Sequence, residues 1–365
     1  MAPYTNIPLS PAELSYLHHS LSQTPPIRPD GRAPTQFRPL VAETEILPSA
    51  NGSARICFAD GTEAIVGVKM EVEKTVLVGR GGLHVQREQE RGERRVDGDV
   101  DMDGDGEYEE GRGEGRDEWL EVAIEIPGMR DDDALPVFLA AMLTEAMLAD
   151  GSGVRDRLWI NGRFHWRLFV DILLLSQPLS YPLPLLSLTT HLALLSTRIP
   201  ALISERDEDP IFNDDWEAST YLFPRDDASG KSTTKPPITL LVMTAGSNIL
   251  FDPSKEELAV ADAVVAISAA AQGQDRQMKM VALRTVDPPS RLTAAGVPNR
   301  ADTTAGGGMS AEETLKLREK DAGQSVWRPP RGGVSRTLLA QMIKAVVERG
   351  GVGREVMEGL NAVET

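Results

Sequence analysis

The sequence predicts an α+β fold made of two related halves, each with helices packed on one sheet. Two observations support this prediction. Runs rich in Val, Ile and Ala, with the length of strands and with turn residues between them, fill residues 40–72. A second series of strand and helix patterns follows residue 237, after a connection that contains proline and serine. This order of elements is typical of sheets that carry helices on one face.

A helix and a three-strand meander are predicted at the start of the first half. Ser10 occupies an N-cap position, Pro11 follows at the first helical position, and Glu13 completes a capping box, so the helix is predicted to extend to about Gln23. The strands are predicted at residues 40–47, 50–58 and 62–72. Asp60-Gly61 joins the last two strands, and this dipeptide is typical of a tight hairpin turn.

The first half is predicted to continue with two strands and two helices. Alternating apolar residues predict a strand at 119–126. Acidic residues 131–133 precede apolar residues at helical spacing, which predicts a helix over 135–147 because negative charge is favourable at a helix N-terminus. Asn161-Gly162 predicts a hairpin. Its strands are predicted at 158–160 and 164–175, and an apolar helix is predicted at 180–198.

The second half is predicted to repeat this plan on a smaller scale. Its strands are predicted at 238–245, 248–251 and 278–286. Ser254 and Glu257 form another capping box, which predicts a helix over 254–271. A last helix is predicted at 338–347, and Gly350-Gly351 is predicted to end it.

Composition limits the classes of function. The chain has 365 residues and a formal net charge of -17, and a field of that sign repels nucleic acid, so RNA contact requires a local basic strip. Cys57 is the only cysteine, which excludes an internal disulfide and a cysteine-based zinc cluster. The sequence contains no apolar run as long as a membrane span and no signal-peptide pattern, so we expect a soluble intracellular protein.

Residues 87–118 stand out because they contain fourteen acidic and six basic side chains and few apolar ones. Such a segment buries too little apolar surface to offset the entropy cost of ordering it, so we predict a disordered acidic insertion. Within it, the spacing of Asp99, Asp101, Asp103 and Glu110 matches an EF-hand calcium loop. No amphipathic helices flank these residues, and the sequence therefore predicts no metal site.

Four short motifs between Arg28 and Lys69 carry a family resemblance. These motifs are Arg28-Pro29-Asp30-Gly31-Arg32, Phe37-Arg38, Asn51-Gly52-Ser53-Ala54 and Val66-Gly67-Val68-Lys69. Together they resemble the opening of the RNase PH family. The resemblance extends over residues 28–290, apart from the insertion, and implies an RNase PH-like fold of the ribosomal protein S5 domain 2 class.

This resemblance divides the chain into six parts. They are an N-terminal helix (1–27), a first RNase PH-like half (28–200), a connection (201–237), the core of the second half (238–290), a linker (291–333) and a C-terminal helical segment (334–365). The acidic insertion interrupts the first half.

The resemblance also implies a site to examine. Active members of the family degrade RNA with inorganic phosphate, which a Gly-Thr-Arg turn holds while acidic side chains assist proton transfer, since phosphate and RNA both need cationic partners. Here residues 176–182 have no glycine or arginine, and two prolines remove backbone donors. Ser254 stands where a second aspartate is expected. Helix capping accounts for Asp252, Ser254 and Glu257, so we predict no catalytic residue.

Two arginines are candidate RNA contacts. Arg80 lies in the glycine-rich segment Gly79-Arg80-Gly81-Gly82, and Arg130 follows Pro127-Gly128-Met129 at a position where active members carry a longer basic stretch. For each arginine, a solvated loop without a ligand is the alternative interpretation.

The absence of the phosphate turn makes the chain resemble the non-catalytic ring subunits of the eukaryotic RNA exosome. This resemblance implies heterodimers that form a six-subunit ring, RNA-binding cap subunits, and a channel through which single-stranded RNA passes during 3′-to-5′ processing and degradation. It implies no cofactor, no membrane contact, and a location in the nucleus, the nucleolus and the cytoplasm. Two alternatives remain: an active phosphate-dependent 3′-to-5′ exoribonuclease, and a calcium-binding regulator that uses Asp99 to Glu110.

Overall fold

The computed structural model consists mainly of a mixed sheet and an antiparallel sheet, with a buried helix between them. It describes residues 9–75, 115–149, 153–204, 208–224, 234–272, 277–293, 327–331 and 333–363, together with Lys316 and Lys320. The α+β class and the presence of two sheet-and-helix halves are confirmed. No helix in these ranges combines the length and the apolar character that a membrane crossing requires.

Helix α1 (Pro11–Ser22) has the predicted capping box. The Ser10 side chain accepts a hydrogen bond from the Glu13 backbone, and the Glu13 carboxylate accepts one from the Ser10 backbone. These bonds satisfy two backbone donors that a helix start would otherwise leave unpaired. Leu14 and Leu21 are buried, and α1 contacts the second half of the chain.

The first sheet has five strands. In chain order they are β1 (Leu40–Thr44), β2 (Gly52–Phe58), β3 (Glu63–Lys74), β4 (Leu120–Glu125) and β5 (Phe164–Leu174), and the order across the sheet is β1-β2-β3-β5-β4. All pairs are antiparallel except the parallel pair of β4 and β5. Gly61, with φ +84°, makes the predicted turn between β2 and β3. Strand β1 ends earlier than predicted because Glu45 adopts a left-handed conformation, with φ +58°.

The predicted hairpin across Asn161-Gly162 is only partly formed. Strand β5 matches the prediction, but its partner is reduced to one bridge, between Trp159 and His165. The Asn161 side chain accepts hydrogen bonds from the backbone amides of Arg163 and Phe164. Because the side chain stabilises the turn, a second regular strand is not needed to hold it.

Helices α2 (Ala134–Leu148) and α3 (Leu183–Ser196) lie in the positions predicted for them. Every residue of α3 is buried, because the helix contacts β2 and β3 on one side and the second sheet on the other. A helix that is apolar on all sides is expected to occupy such a central position. Helix α3 is therefore the common core of both halves.

Close contact between α3 and β2 depends on small residues. The Ser196 hydroxyl donates to the Ser53 carbonyl oxygen and accepts from the Ser53 amide. A Cβ atom on Gly52 would lie 2.5 Å from the Cα atom of Thr197, closer than real Cβ contacts come. Gly52 thus allows the end of α3 to approach the sheet.

The second sheet has four antiparallel strands. They are β8 (Ile238–Ala245), β9 (Asn248–Phe251), β10 (Ala263–Gln272) and β11 (Gln277–Val286), in the order β11-β10-β8-β9. A short ladder of β6 (Arg198–Ile199) and β7 (Thr220–Tyr221) precedes it. The predictions for β8, β9 and β11 are confirmed.

The predicted helix over 254–271 is wrong. The capping box of Ser254 and Glu257 exists, but it starts only the single turn α4 (Lys255–Leu258), and residues 263–272 form β10. Strand β10 is central and buried from Ala263 to Ala271, and all of these residues except Ser268 are apolar, so the strand lacks the alternation that identifies a half-buried strand. The β-branched residues Val264, Val265 and Ile267 favour the strand.

The C-terminal segment contains two helices, where one was predicted. Helix α5 (Arg336–Val347) agrees with the prediction, and α6 (Val352–Asn361) follows Gly350 and Gly351. The predicted linker 291–333 lies largely outside the described residues. Within its described part, Trp327 is buried and its ring nitrogen donates to the Thr293 hydroxyl. The predicted disordered insertion also lies outside them, except for residues 115–118, which lead into β4.

We expect Gly52→Ala to lower the free energy of unfolding by about 3 kcal/mol, because the new methyl group overlaps Thr197 and the helix must shift. Gly67→Ala in β3 is the matched control, since its Cβ meets only the tip of Leu47, at 3.2 Å, and we expect it to cost less than about 1 kcal/mol. Urea-dependent proteolysis of the dilute chain measures both. Equal losses would contradict the proposed close packing.

Candidate functional site

The family motif and the acidic turn before α4 meet in one cluster. Arg28, Arg32 and Arg38 come from the segment that precedes β1, while Asp252 and Glu257 come from the turn after β9 and from α4. We call these five side chains the arginine–carboxylate cluster. It joins the first half of the chain to the second.

The Asp252 carboxylate is the centre of the cluster and is almost fully buried, with 1% of the side chain exposed. Oδ1 accepts from Arg38 Nη2 at 2.7 Å, and Oδ2 accepts from Arg38 Nε at 3.0 Å. Oδ2 also accepts from the Arg38 backbone amide and from Arg32 Nη1, each at 2.8 Å. Paired bonds from one guanidinium to both carboxylate oxygens are among the strongest hydrogen bonds in proteins.

These contacts determine the protonation state of Asp252. Burial works to raise the pKa of its carboxyl group, but the hydrogen bonds and the charge of Arg38, together with the charge of Arg32, outweigh burial and hold the pKa below its ordinary value. Conversely, burial works to lower the pKa of Arg38, while its bonds to Asp252 and Asp60 raise it overall. Asp252 is therefore an ionised structural carboxylate at neutral pH.

Arg28 and Glu257 form a second pair, and neither side chain is exposed. Arg28 Nε and Nη2 donate to the two Glu257 carboxylate oxygens, both at 2.7 Å. The remaining donors of Arg28 reach backbone carbonyls, including those of Phe251 and Asp252. Glu257 also accepts from the Ser254 backbone amide at 2.8 Å, so the predicted capping role is present but covers only part of what Glu257 does.

The hydroxyl group of Ser180 connects the segment 176–182 to the cluster. Ser180 Oγ accepts from Arg38 Nη1 at 3.1 Å, and Ser176 Oγ accepts from the Glu63 backbone amide at 3.0 Å. Asp60, at the turn between β2 and β3, accepts from the same Arg38 nitrogen as Ser180. The guanidinium of Arg38 also lies over the ring of Phe58, 4.7 Å from its centre.

Neither candidate RNA contact belongs to the arginine–carboxylate cluster: Arg130 lies apart from it, and Arg80 lies outside the described residues. Arg130 is exposed, and its Nη2 donates to Asp132 at 2.8 Å while its backbone amide donates to the Asp133 carboxylate. Arg80 lies outside the described residues, as do the calcium-loop matches Asp99, Asp101, Asp103 and Glu110. Within the described ranges, no three His, Cys, Asp or Glu side chains form a group that could hold a metal ion.

Sequence reasoning missed the roles of Arg28, Arg32 and Arg38, because it treated them only as marks of a family. The available signal was charge: three arginines within eleven positions require carboxylate partners if they are buried. Their buried partners, Asp252 and Glu257, lie more than 200 positions away. No local pattern identifies such distant pairs.

We expect Asp252→Asn to lower the free energy of unfolding by about 3 kcal/mol at pH 7, because it leaves buried arginines without their charge partner. Since the folded pKa of Asp252 is lowered, its contribution is present above the unfolded value of about 3.9 and is lost as pH falls through the folded pKa. The difference between wild type and variant should therefore shrink below about pH 4. Urea-dependent proteolysis of the dilute chain across pH measures it.

Asp60→Asn is the control for this prediction. Asp60 contacts the same guanidinium, but about a quarter of its side chain is exposed (24%), so we expect a loss of about 1 kcal/mol or less. Equal losses for the two variants, or a difference between wild type and Asp252→Asn that does not shrink as pH falls below about 4, would contradict the assignment.

Comparison with known proteins places the chain in a family. No protein-family model matches it. The exosome complex component RRP42 of Saccharomyces cerevisiae is 36% identical over 261 residues, which cover 71% of this chain and 81% of that protein. The Schizosaccharomyces pombe exosome complex component rrp42 is 29% identical over 281 residues, which cover 73% and 79%.

Similar solved structures include the Archaeoglobus fulgidus exosome with RNA bound to the active site, at 20% identity and a TM-score of 0.48, covering 84% of this chain and 96% of that one. Rice (Oryza sativa) Rrp46 has 13% identity and a TM-score of 0.40, with coverages of 81% and 93%. Residues 173–200 and 236–262 look most like ribosomal RNA-processing protein 42, and the similarity to the two yeast proteins confirms this assignment. The chain belongs to the RRP42 family of exosome complex components.

Proposed function

We propose that this chain is a structural, catalytically inactive subunit of an RNA exosome ring. With its partner subunits it forms the channel that carries RNA for 3′-to-5′ processing and degradation, including ribosomal RNA maturation and the turnover of messenger and non-coding RNA. The observation that carries the proposal is the state of Asp252. Its position matches an acidic position of active RNase PH members, but its carboxylate is buried and held by Arg38 and Arg32.

A catalytic carboxylate has to reach the substrate and exchange a proton near neutral pH. Both oxygens of Asp252 are occupied by arginine donors, and its pKa is lowered. Proton transfer from Asp252 at neutral pH is therefore strongly disfavoured. The cluster has the contacts of a joint between two halves of a fold, and this supports a structural role.

The same contacts argue against a phosphate grip. Arg32 and Arg38 are the cations nearest to Asp252, and each is already paired with a carboxylate. Segment 176–182 supplies no further cation, and its Ser180 hydroxyl is bound to Arg38. A phosphate placed here would have to compete with buried ion pairs for its partners. We infer that the site does not bind phosphate as active members do.

Ring assembly gives the open edges of the sheets a partner. Strands β1 and β4 are the edges of the first sheet, and β11 and β9 are the edges of the second. Edge strands with free backbone groups favour pairing with other chains. We propose that other ring subunits cover some of these edges, that RNA-binding cap subunits lie on one face, and that the complex works in the nucleus, the nucleolus and the cytoplasm.

Direct RNA contact by this subunit is a separate proposal. Arg130 is paired with Asp132 and lies beside Asp131 and Asp133, so its local field is not basic and we expect it to contribute little. Arg80 remains the better candidate because its neighbours are glycines.

We expect no phosphate-dependent release of nucleoside diphosphates from single-stranded RNA by the purified subunit. The measurement is a decay assay with phosphate and with sulfate as the matched anion. Complexes purified through this chain should contain other exosome subunits by mass spectrometry. Release of nucleoside diphosphates that requires phosphate and follows this chain through purification would instead establish the active exoribonuclease.

We also expect the chain expressed alone to aggregate, and coexpression with a ring neighbour to make it soluble and heterodimeric, because the neighbour covers exposed strand edges. Size-exclusion chromatography with light scattering measures both states. A monodisperse and thermally stable monomer would contradict the assembly proposal.

A further inference from the structure

A groove lies at the start of β2, at the end of the strand opposite Arg38 and Asp252. Its volume is about 290 Å³. The residues that line it include Glu45, Leu47, Asn51, Ser196, Arg198 and Trp216. Pockets for drug-sized ligands span about 300 to 1,000 Å³, so this groove is at the lower limit and better matches one or two side chains.

Hydrogen bonds hold the walls of the groove in place. Glu45, in its left-handed conformation, donates its backbone amide to the Ser53 carbonyl oxygen at 2.9 Å. The Leu47 amide donates to Ser53 Oγ at 2.9 Å. Asn51 and Arg198 are joined twice, from the Arg198 amide to the Asn51 carbonyl at 2.9 Å and from Asn51 Nδ2 to the Arg198 carbonyl at 3.2 Å. A preformed groove loses little entropy when it is filled.

The groove presents an exposed aromatic ring, and acidic residues adjoin that ring in the sequence. Trp216 is 46% exposed, which is unusual for so large an apolar side chain. The carboxylate of Glu45 is partly exposed and lies 3.4 Å from Arg198 Nη2, so these two charges of the lining offset each other. Asp214, Asp215 and Glu217, which flank Trp216 in the sequence, are exposed and add negative charge beside it. Arg198, the one cation in the lining, donates from Nη2 to the Tyr221 hydroxyl oxygen at 2.8 Å as well as to Glu45, and its guanidinium lies 4.9 Å from the centre of the Tyr221 ring.

We propose that this groove binds an arginine or lysine side chain presented by a partner protein of the assembly. The proposal rests on the proposed function, since the partner is another subunit. A cation over the face of a tryptophan is attracted by the ring, and nearby carboxylates strengthen this attraction. RNA is the less suitable occupant, because its phosphates would lie beside Asp214, Asp215 and Glu217.

The segment of this chain that follows Arg198 provides an apolar surface for the rest of the partner's segment. From Arg198, paired with Tyr221, the chain extends into an arm in which Leu202 bridges Phe212 and the Ile203 amide donates to the Ile211 carbonyl at 2.8 Å. Leu202, Ile203 and Ile211 are all exposed. Apolar residues around a central aromatic anchor, with charge at the rim, are typical of protein interfaces. We therefore expect the partner segment to be basic and apolar.

The first test locates the occupant. The full chain carrying Trp216→p-benzoylphenylalanine is coexpressed with exosome subunits, and the purified complex is irradiated and digested. We expect cross-links to a segment of another subunit that contains arginine or lysine. Cross-links only to RNA, only within this chain, or to none of the subunits would overturn the proposal.

The second test measures how fast a labelled chain leaves the assembled complex. Trp216→Ala should raise this dissociation rate by about tenfold, because it removes a cation–ring contact, while Trp216→Phe should change it less than about threefold. The double variant Asp214→Asn and Glu217→Gln should weaken the dependence of the rate on salt. Trp216 is exposed, so thermal unfolding of the variants should match wild type.

An unchanged dissociation rate for Trp216→Ala in a normally assembled complex would reject the proposal that the groove binds a basic side chain. It would not affect the proposed structural role of the subunit. Failure of the wild-type chain to associate with any exosome subunit would reject both proposals. The two failures are thus distinguishable.

Discussion

The pairing of three arginines with two buried carboxylates is the interaction on which this fold depends. Arg28, Arg32 and Arg38 lie on one segment before β1, and Asp252 and Glu257 lie on one turn and helix after β9. Removing a charge from water is costly, and a buried ion pair often contributes little net stability. Loss of one partner is different, because the remaining charge stays buried and unpaired. Joining the two halves of the chain correctly therefore requires that each of these buried charges keeps its partner.

This pairing also makes Asp252 poorly suited to proton transfer. An active site needs a carboxylate that is accessible and whose pKa suits proton transfer. At Asp252, bidentate contact with Arg38 and a further contact with Arg32 lower the pKa and cover both oxygens. Glu257 is similarly committed, because it both caps α4 and holds Arg28. The cations and the acids of the cluster are thus paired with each other.

Local patterns allowed much of the fold to be predicted, and distant contacts account for most of the rest. The capping box at Ser10 and the turn at Asp60-Gly61 involve residues close in sequence, so both were predictable. The capping box at Ser254 was equally local, but α4 ends after one turn because the next residues complete a central strand between β8 and β11. The contacts of Asp252 with Arg38, and of Trp216 with the groove around Glu45, join residues far apart in sequence. Neither the composition of the chain nor the spacing of its residues predicts such contacts.

Strand β2 separates two surfaces whose charges are used differently. At its end, Phe58 lies under the guanidinium of Arg38, and the charges there are paired within the chain. At its start, Gly52 and Ser53 line a groove whose surrounding acids, Asp214, Asp215 and Glu217, are exposed on the surface. Charges that are paired within the chain contribute little to the electrostatic potential around it, whereas exposed carboxylates attract a cation. A basic partner is therefore drawn to the groove, while the charges of the arginine–carboxylate cluster remain paired within the chain.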